Sequence, residues 1–321
     1  VVPLRTERVS MRIAVVGAGG QGGYLGGTLA GFGGDVTLID RGEHLEAIRL
    51  HGLTLRPSRG EPRTVRVAAT DDPASVGARD LVLLCVKTYD LGDALPGLQP
   101  LVGPDTAIVS VQNGIDAPDA IADVYGAERV IAGVSYVAAR VEAPGLVEFG
   151  GVAGRLILGD LDAEVSERCR ATAALLRSAG IRAETAAGIR AALWEKLVLV
   201  AATGGVMALL RLPWGSVIDS RVGRALALGV MEEAEAVALA CGVDLEGAAE
   251  RVFRFARERI SRSTRSSMLD DLLNGRRLEL PSLNGTVVRL GSQRGVRTPL
   301  NSTICSGLEP YVDGRPSDAL D

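Results

Sequence analysis

Apolar residues follow two regimes along this chain. In the first half they come as short runs of four to six residues, rich in valine, isoleucine and leucine: Ile13–Val16, Val36–Ile39, Leu81–Val86 and Ala107–Val111. Near-continuous apolar runs of this length are what parallel strands covered on both faces require. From Gly188 onward the apolar spacing lengthens to a helical period, predicting helices over 190–211, 222–241, 246–262, 264–274, 281–294 and 300–308. Pro213, Gly242, Gly275, Pro281, Gly295 and Pro299 punctuate that second half. The pattern predicts an α/β N-terminal domain with a parallel-sheet core over 11–187 and an all-α C-terminal domain over 188–313. Residues 1–10 and 314–321 are expected to be flexible tails.

The first two strands frame a glycine-rich turn, Gly17-Ala18-Gly19-Gly20-Gln21-Gly22, that opens a helix of small residues. In a βαβ unit this spacing is a dinucleotide fingerprint and the domain is Rossmann-like. Gly17 permits the tight turn, Gly19 the approach of a pyrophosphate, and Gly22 close packing of helix on strand. The helix N-terminus adds free N–H groups and the positive end of a dipole. A glycine-rich turn that binds nothing is the plain alternative. The second strand ends in Asp40-Arg41. An acidic residue there suits the ribose hydroxyls of NAD, whereas an arginine suits the 2′-phosphate of NADP, so these two residues leave the choice open. Lys87 and Asn113 follow later strands, where ligand contacts gather; the active site is expected in the cleft between the domains.

Composition narrows the class. The chain has 321 residues, 47% of them hydrophobic, and a net charge of −4. The acidic balance argues against nucleic acid. The apolar run around 197–210 contains Thr203, Gly204 and Gly205 and is shorter than a membrane span requires, which favours a soluble protein. Cys85, Cys169, Cys241 and Cys305 have no paired spacing, as expected of reduced thiols in a cytoplasmic protein. No metal site is expected.

A nicotinamide reaction on a carbonyl needs a proton donor. The only histidines, His44 and His51, follow the second strand directly, away from where a substrate acid is expected. No tyrosine precedes a lysine at Tyr-x-x-x-Lys spacing. Arginine holds its proton too tightly to serve. Of 35 Lys and Arg residues, only Lys87 and Lys196 are lysines, and Lys196 lies within an apolar helix whose burial would lower its pKa. Lys196 is the leading acid; a lysine snorkelling to water is the bland reading.

With these residues in place, the chain resembles the ketopantoate reductase (2-dehydropantoate 2-reductase) family from about Met11 to Tyr311. The resemblance rests on the Gly17–Gly22 fingerprint, Arg41, Val86-Lys87-Thr88, Asn113-Gly114, Trp194-Glu195-Lys196-Leu197, Ser266-Ser267-Met268-Leu269 with Asp271, Glu279, Leu283-Asn284-Gly285 and Thr298-Pro299. It implies reduction of a 2-oxo acid to a 2-hydroxy acid, with Lys196 protonating the keto oxygen as NADPH delivers hydride. It implies that Ser267 holds the substrate carboxylate and that Glu279 binds substrate and cofactor ribose and positions the lysine. Asn113 would sit by the nicotinamide, the backbone near Ala139 would touch cofactor, and Arg41 and Lys87 would serve the 2′-phosphate. That tips the cofactor toward NADPH, while Asp40 keeps NADH open. Family members are often dimers, so a homodimer is expected.

The chain departs from the family where substrate-binding asparagines are usual: Val200, Gly204 and Trp214 stand at those positions. Val200 and Gly204 lie four and eight residues past Lys196, on its helix face. A site without amides discriminates poorly for the hydroxyl of ketopantoate, so a more apolar 2-oxo acid is the expected substrate. Ketopantoate reduction for pantothenate biosynthesis, a dinucleotide-binding regulator without catalysis, and a β-hydroxyacid dehydrogenase are the alternatives.

Overall fold

The computed structural model describes residues 11–150, 154–161 and 164–317; the expected tails lie outside these residues, apart from 314–317. The chain divides into two compact units. One comprises residues up to Val86, Asp90–Gln112 and Pro118–Ala187; the other comprises Lys87–Tyr89, Asn113–Ala117 and the chain from Gly188. Two short stretches that follow strands of the first half therefore group with the helical unit.

The first unit contains strands β1 (Arg12–Val16), β2 (Asp35–Ile39), β3 (Leu53–Pro57), β4 (Arg63–Val65), β5 (Ala68–Thr70), β6 (Arg79–Leu84), β7 (Val102–Ser110), β8 (Val130–Ser135), β9 (Ala138–Ala143), β10 (Leu146–Gly150), β11 (Arg155–Asp160) and β12 (Arg182–Thr185). Helices α1 (Gly20–Gly31), α2 (Gly42–His51), α3 (Leu91–Gly97), α4 (Ala117–Tyr125) and α5 (Glu167–Ser178) punctuate them. Eight strands form one sheet in the order β12-β11-β8-β7-β6-β1-β2-β5. The four runs legible in the sequence became β1, β2, β6 and β7, and the side chains of Ile13, Val15, Leu81, Leu83 and Val109 have no exposed surface. Helix α1 lies close on this sheet because it is built of small residues: a Cβ on Gly26 would come within 2.5 Å of Leu38.

Two features add to the parallel-sheet core. β8 and β11 pair antiparallel, and β4-β3-β10-β9 form a second, four-stranded sheet. β9 and β10 are an antiparallel hairpin turning through Gly145, whose φ of +74° suits glycine. These strands escape an apolar-run criterion because most residues of β9 and of β4 are exposed.

The second unit is built of helices, with no strand among its described residues: α6 (Ile189–Leu210), α7 (Trp214–Asp219), α8 (Arg221–Ala240), α9 (Ala248–Arg259), α10 (Ser267–Leu273), α11 (Asn284–Arg294) and α12 (Pro299–Leu308). Helix α10 begins later than predicted because the hydroxyl of Ser266 caps it, accepting from the N–H of Leu269 at 3.1 Å. Helix α7 is an addition to the predicted set. α6 is long and apolar enough to cross a membrane by length and composition, but 78% of its most apolar window is buried in the unit, packed on α8, α9, α10 and α12. A buried polar chain ties these helices together: Asn284 donates to the carbonyl of Ala201 (3.1 Å) and to Asn301 (2.9 Å), and Asn301 donates to Glu233 (2.7 Å).

Candidate active site

The glycine turn has the shape of a phosphate cradle. Gly17 adopts a φ of +87°, and a Cβ there would meet the N atom of Val86 at 2.8 Å. A Cβ on Gly22 would lie 2.0 Å from the Gly17 carbonyl oxygen, and one on Gly20 would lie 2.3 Å from that of Ala139. Around Gly19, by contrast, nothing lies within 4 Å of a Cβ position. Gly19 is the N-cap of α1, with no side-chain cap and no acidic residue in the first turn, so the helix N-terminus is free to receive an anion. These residues fit a dinucleotide. Ala18 and Gln21 have only backbone to offer: Ala18 is buried, and the Gln21 amide donates to Val137 O at 2.6 Å and accepts from Ser135 at 3.0 Å. At the end of β2, the Asp40 carboxylate accepts from the N–H of Arg41 at 2.8 Å, and the exposed Arg41 guanidinium is 3.6 Å from Asp90.

The titratable cluster lies in the helical unit. Lys196 is buried on α6, and the cost of burying its charge lowers its pKa to about 8, with the charge of Glu279 opposing the fall. Glu279, 5% exposed, is held from several sides. Lys87 donates to its Oε2 at 2.9 Å and Asn113 to the same oxygen at 3.3 Å. Thr88 donates to Oε1 at 3.2 Å through both its N–H and its hydroxyl. Burial alone would raise the Glu279 pKa; the charge and hydrogen bond of Lys87, with those from Thr88 and Asn113, more than reverse this and hold it below the ordinary carboxylate value. Lys87 donates also to Asp271 at 3.0 Å, and Asp271 accepts from Arg276 at 2.8 Å. Burial works against the Lys87 ammonium too, but Glu279 and Asp271 outweigh it and raise its pKa.

The structure thus brings Lys87, Asn113 and Glu279 into hydrogen-bond contact, with Lys196 in the field of Glu279. Thr88 and Asp271, which have no role in the sequence reading, complete the arrangement. The cue for Asp271 is its place four residues beyond Ser267, hence on the same face of α10. Ser267 itself is exposed in the first turn of that helix. The Lys87 ammonium is engaged by two carboxylates.

Val200 is half-buried, one turn beyond Lys196. A Cβ at Gly204 would make ordinary contact with Met268 (3.7 Å) and Leu283 (3.9 Å), so apolar groups stand where an amide would. Trp214 requires a correction: it has no exposed surface and its indole N–H donates to the Ala256 carbonyl at 3.0 Å. It is core packing of the helical unit and offers a substrate no surface. At the end of β6, burial pushes the Cys85 thiol pKa up, which disfavours the thiolate a nucleophile needs.

Comparison with known proteins shows the family. Residues 13–163 match the family described as "Ketopantoate reductase PanE/ApbA", and residues 188–311 match its C-terminal counterpart. A 2-dehydropantoate 2-reductase of Mesorhizobium japonicum is 34% identical over 311 residues, covering 90% of this chain and 94% of its own. The crystal structure of a PanE/ApbA family ketopantoate reductase from Ralstonia eutropha superposes with a TM-score of 0.86 at 34% identity, covering 94% of this chain and 98% of that one. A ternary structure of D-mandelate dehydrogenase with NADH and anilino(oxo)acetate also superposes with a TM-score of 0.86, at 25% identity and with 94% and 98% covered. The chain belongs to the ketopantoate reductase family of oxidoreductases.

Proposed function

We propose that this enzyme reduces a 2-oxo acid more apolar than ketopantoate to the 2-hydroxy acid, with Lys196 as proton donor. The observation that carries the reading is the buried Lys196, poised at about 8 by burial against the charge of Glu279. A group with a pKa near the working pH gives up a proton readily while remaining largely charged. Lys196 protonates the keto oxygen and regains its proton from water once the alcohol has left. Glu279 keeps the ammonium charged, and Lys87, Thr88 and Asn113 keep Glu279 ionised and fixed. Ser267, in the first turn of α10, is assigned to the substrate carboxylate. When bound, the nicotinamide supplies the hydride; the Gly17–Gly22 turn, with Ala139 beside Gly20, would hold its pyrophosphate.

Arg41 supports NADPH as donor, because its exposed guanidinium suits a 2′-phosphate. Asp40, at the strand end where ribose hydroxyls are read, favours a second reading with NADH. The apolar substrate is favoured by Val200, by the Met268 and Leu283 side chains beside Gly204, and by the likeness to a D-mandelate dehydrogenase solved with an aryl-bearing oxo acid. The proposal includes a homodimer acting in the cytoplasm, in keeping with four free cysteines. The test is cofactor oxidation with ketopantoate against branched and aromatic 2-oxo acids, using NADPH and NADH in parallel. Higher kcat/KM for the branched or aromatic acids is expected; a clear preference for ketopantoate would return the enzyme to pantoate formation, and no turnover of any 2-oxo acid would favour a dinucleotide-binding regulator.

A further inference from the structure

His44, unsuited by its place to act as a substrate acid, has both ring nitrogens engaged within the first unit. Its Nδ1 accepts from the backbone N–H of Gly145 at 3.0 Å, and its Nε2 lies 3.1 Å from the carbonyl oxygen of Ala18. A ring nitrogen that accepts an N–H carries no proton, so in this arrangement the ring's N–H is the one on Nε2. The Nε2–H therefore donates to Ala18.

That bond falls on the phosphate cradle. In a planar trans peptide the C=O and N–H point in opposite directions, so holding the Ala18 carbonyl also aims the N–H of Gly19. Gly19 is the N-cap of α1, and its flank is open. Gly19, with no Cβ, gives this peptide more torsional freedom than another residue would, so a hydrogen bond on the Ala18 carbonyl helps to fix it. The other end of the imidazole grips the turn of the β9–β10 hairpin, where a Cβ on Gly145 would come within 3.1 Å of the Ala47 side chain on α2. The same hairpin places the Ala139 carbonyl against Gly20. One side chain on α2 thus links the turn that would bind phosphate to the hairpin beside it.

We propose that His44 is a positioning residue for the dinucleotide: its Nε2–H sets the Ala18–Gly19 peptide so that the Gly19 N–H faces the pyrophosphate. This rests on the dinucleotide reading of the Gly17–Gly22 turn. Two substitutions separate the two bonds. In His44→Asn the amide oxygen can replace Nδ1 toward Gly145, but the donor to Ala18 is lost. In His44→Gln the longer amide can place its NH2 where Nε2 stands.

The experiment measures Kd for NADPH and for NADH by fluorescence titration of the full chain, together with melting temperature, cofactor KM and kcat. For His44→Asn we expect cofactor Kd and KM to rise about tenfold, the scale of one lost orienting hydrogen bond, with a much smaller change in kcat at saturating cofactor. His44→Gln should stay within about threefold of the wild type, the rescue expected of a retained donor. Wild-type affinity in His44→Asn, or equal losses in both variants alongside equal drops in melting temperature, would overturn the proposal. Failure of the wild type to bind either nucleotide would instead overturn the dinucleotide reading, and the proposal with it.

Discussion

Lys87 donates to Oε2 of Glu279 at 2.9 Å, so one of the chain's two lysines stabilises the carboxylate that keeps the other one charged. Glu279 is the negative charge that opposes the burial cost of Lys196. In Glu279→Gln that opposition is gone, and the Lys196 pKa should fall below its present value of about 8. Activity at neutral pH should drop by about tenfold to a hundredfold, the range expected when an acid is mistuned. The check is the pH profile of kcat/KM, whose alkaline limb should move to lower pH; a limb that stays in place would separate Glu279 from Lys196.

The wild-type profile has a definite sign. Lys196 must carry its proton to act as an acid, so kcat/KM for reduction should fall as pH rises through about 8. The reverse oxidation needs the neutral amine and should rise over the same interval. Stability follows a related rule. The folded-state pKa lies below the unfolded one, so above about 8 the unfolded chain holds the extra proton. Lys196 therefore adds stability as pH rises from there toward the ordinary lysine value of about 10.4. Rate profiles in both directions and melting curves against pH check both signs.

The glycines of the turn should part company on substitution. Gly22→Ala would force a Cβ to 2.0 Å from the Gly17 carbonyl, and should cost about 1–3 kcal/mol of stability as an overpacked site does. Gly19→Ala places its methyl in open space, so its melting temperature should stay near that of the wild type while cofactor affinity falls. Thermal unfolding with nucleotide titration distinguishes the two; equal melting losses would show that the flank of Gly19 is structural.

Val200 stands half-buried one turn beyond Lys196, at a position where the resemblance to the family implies an asparagine. Val200→Asn should raise kcat/KM for ketopantoate about tenfold and lower it for aromatic 2-oxo acids, since a matched hydroxyl contact discriminates strongly. Paired kinetics on the two substrates test this. A variant that leaves their ratio unchanged would place Val200 outside the substrate contacts.

Much of this was legible in the sequence, and for identifiable reasons. β1, β2, β6 and β7 announce themselves because strands buried on both faces are apolar throughout, and α6, α8, α11 and α12 because their apolar period is long. The second sheet was hidden because β4 and β9 expose most of their residues. At the site, Lys196 stood out because it is one of two lysines in a chain that otherwise uses arginine, which does not release its proton near neutral pH. Asp271 and Thr88 belong to the motifs of the resemblance, but their contacts with Lys87 and Glu279 were hidden because they span 184 and 191 residues of chain, a separation no local pattern encodes. Trp214 misled because an aromatic side chain in place of an amide reads equally well as pocket wall and as core.

Every other step of the proposed reduction depends on Lys196 as the acid. The most direct test is NAD(P)H oxidation with an aromatic 2-oxo acid by the wild type, Lys196→Ala and Lys196→Arg, with nucleotide Kd measured on all three. The account predicts a loss of about 10²–10⁴ in kcat for both variants, the worth of a positioned acid, with nucleotide affinity within about threefold of the wild type. A Lys196→Ala enzyme that retains the wild-type kcat would contradict it.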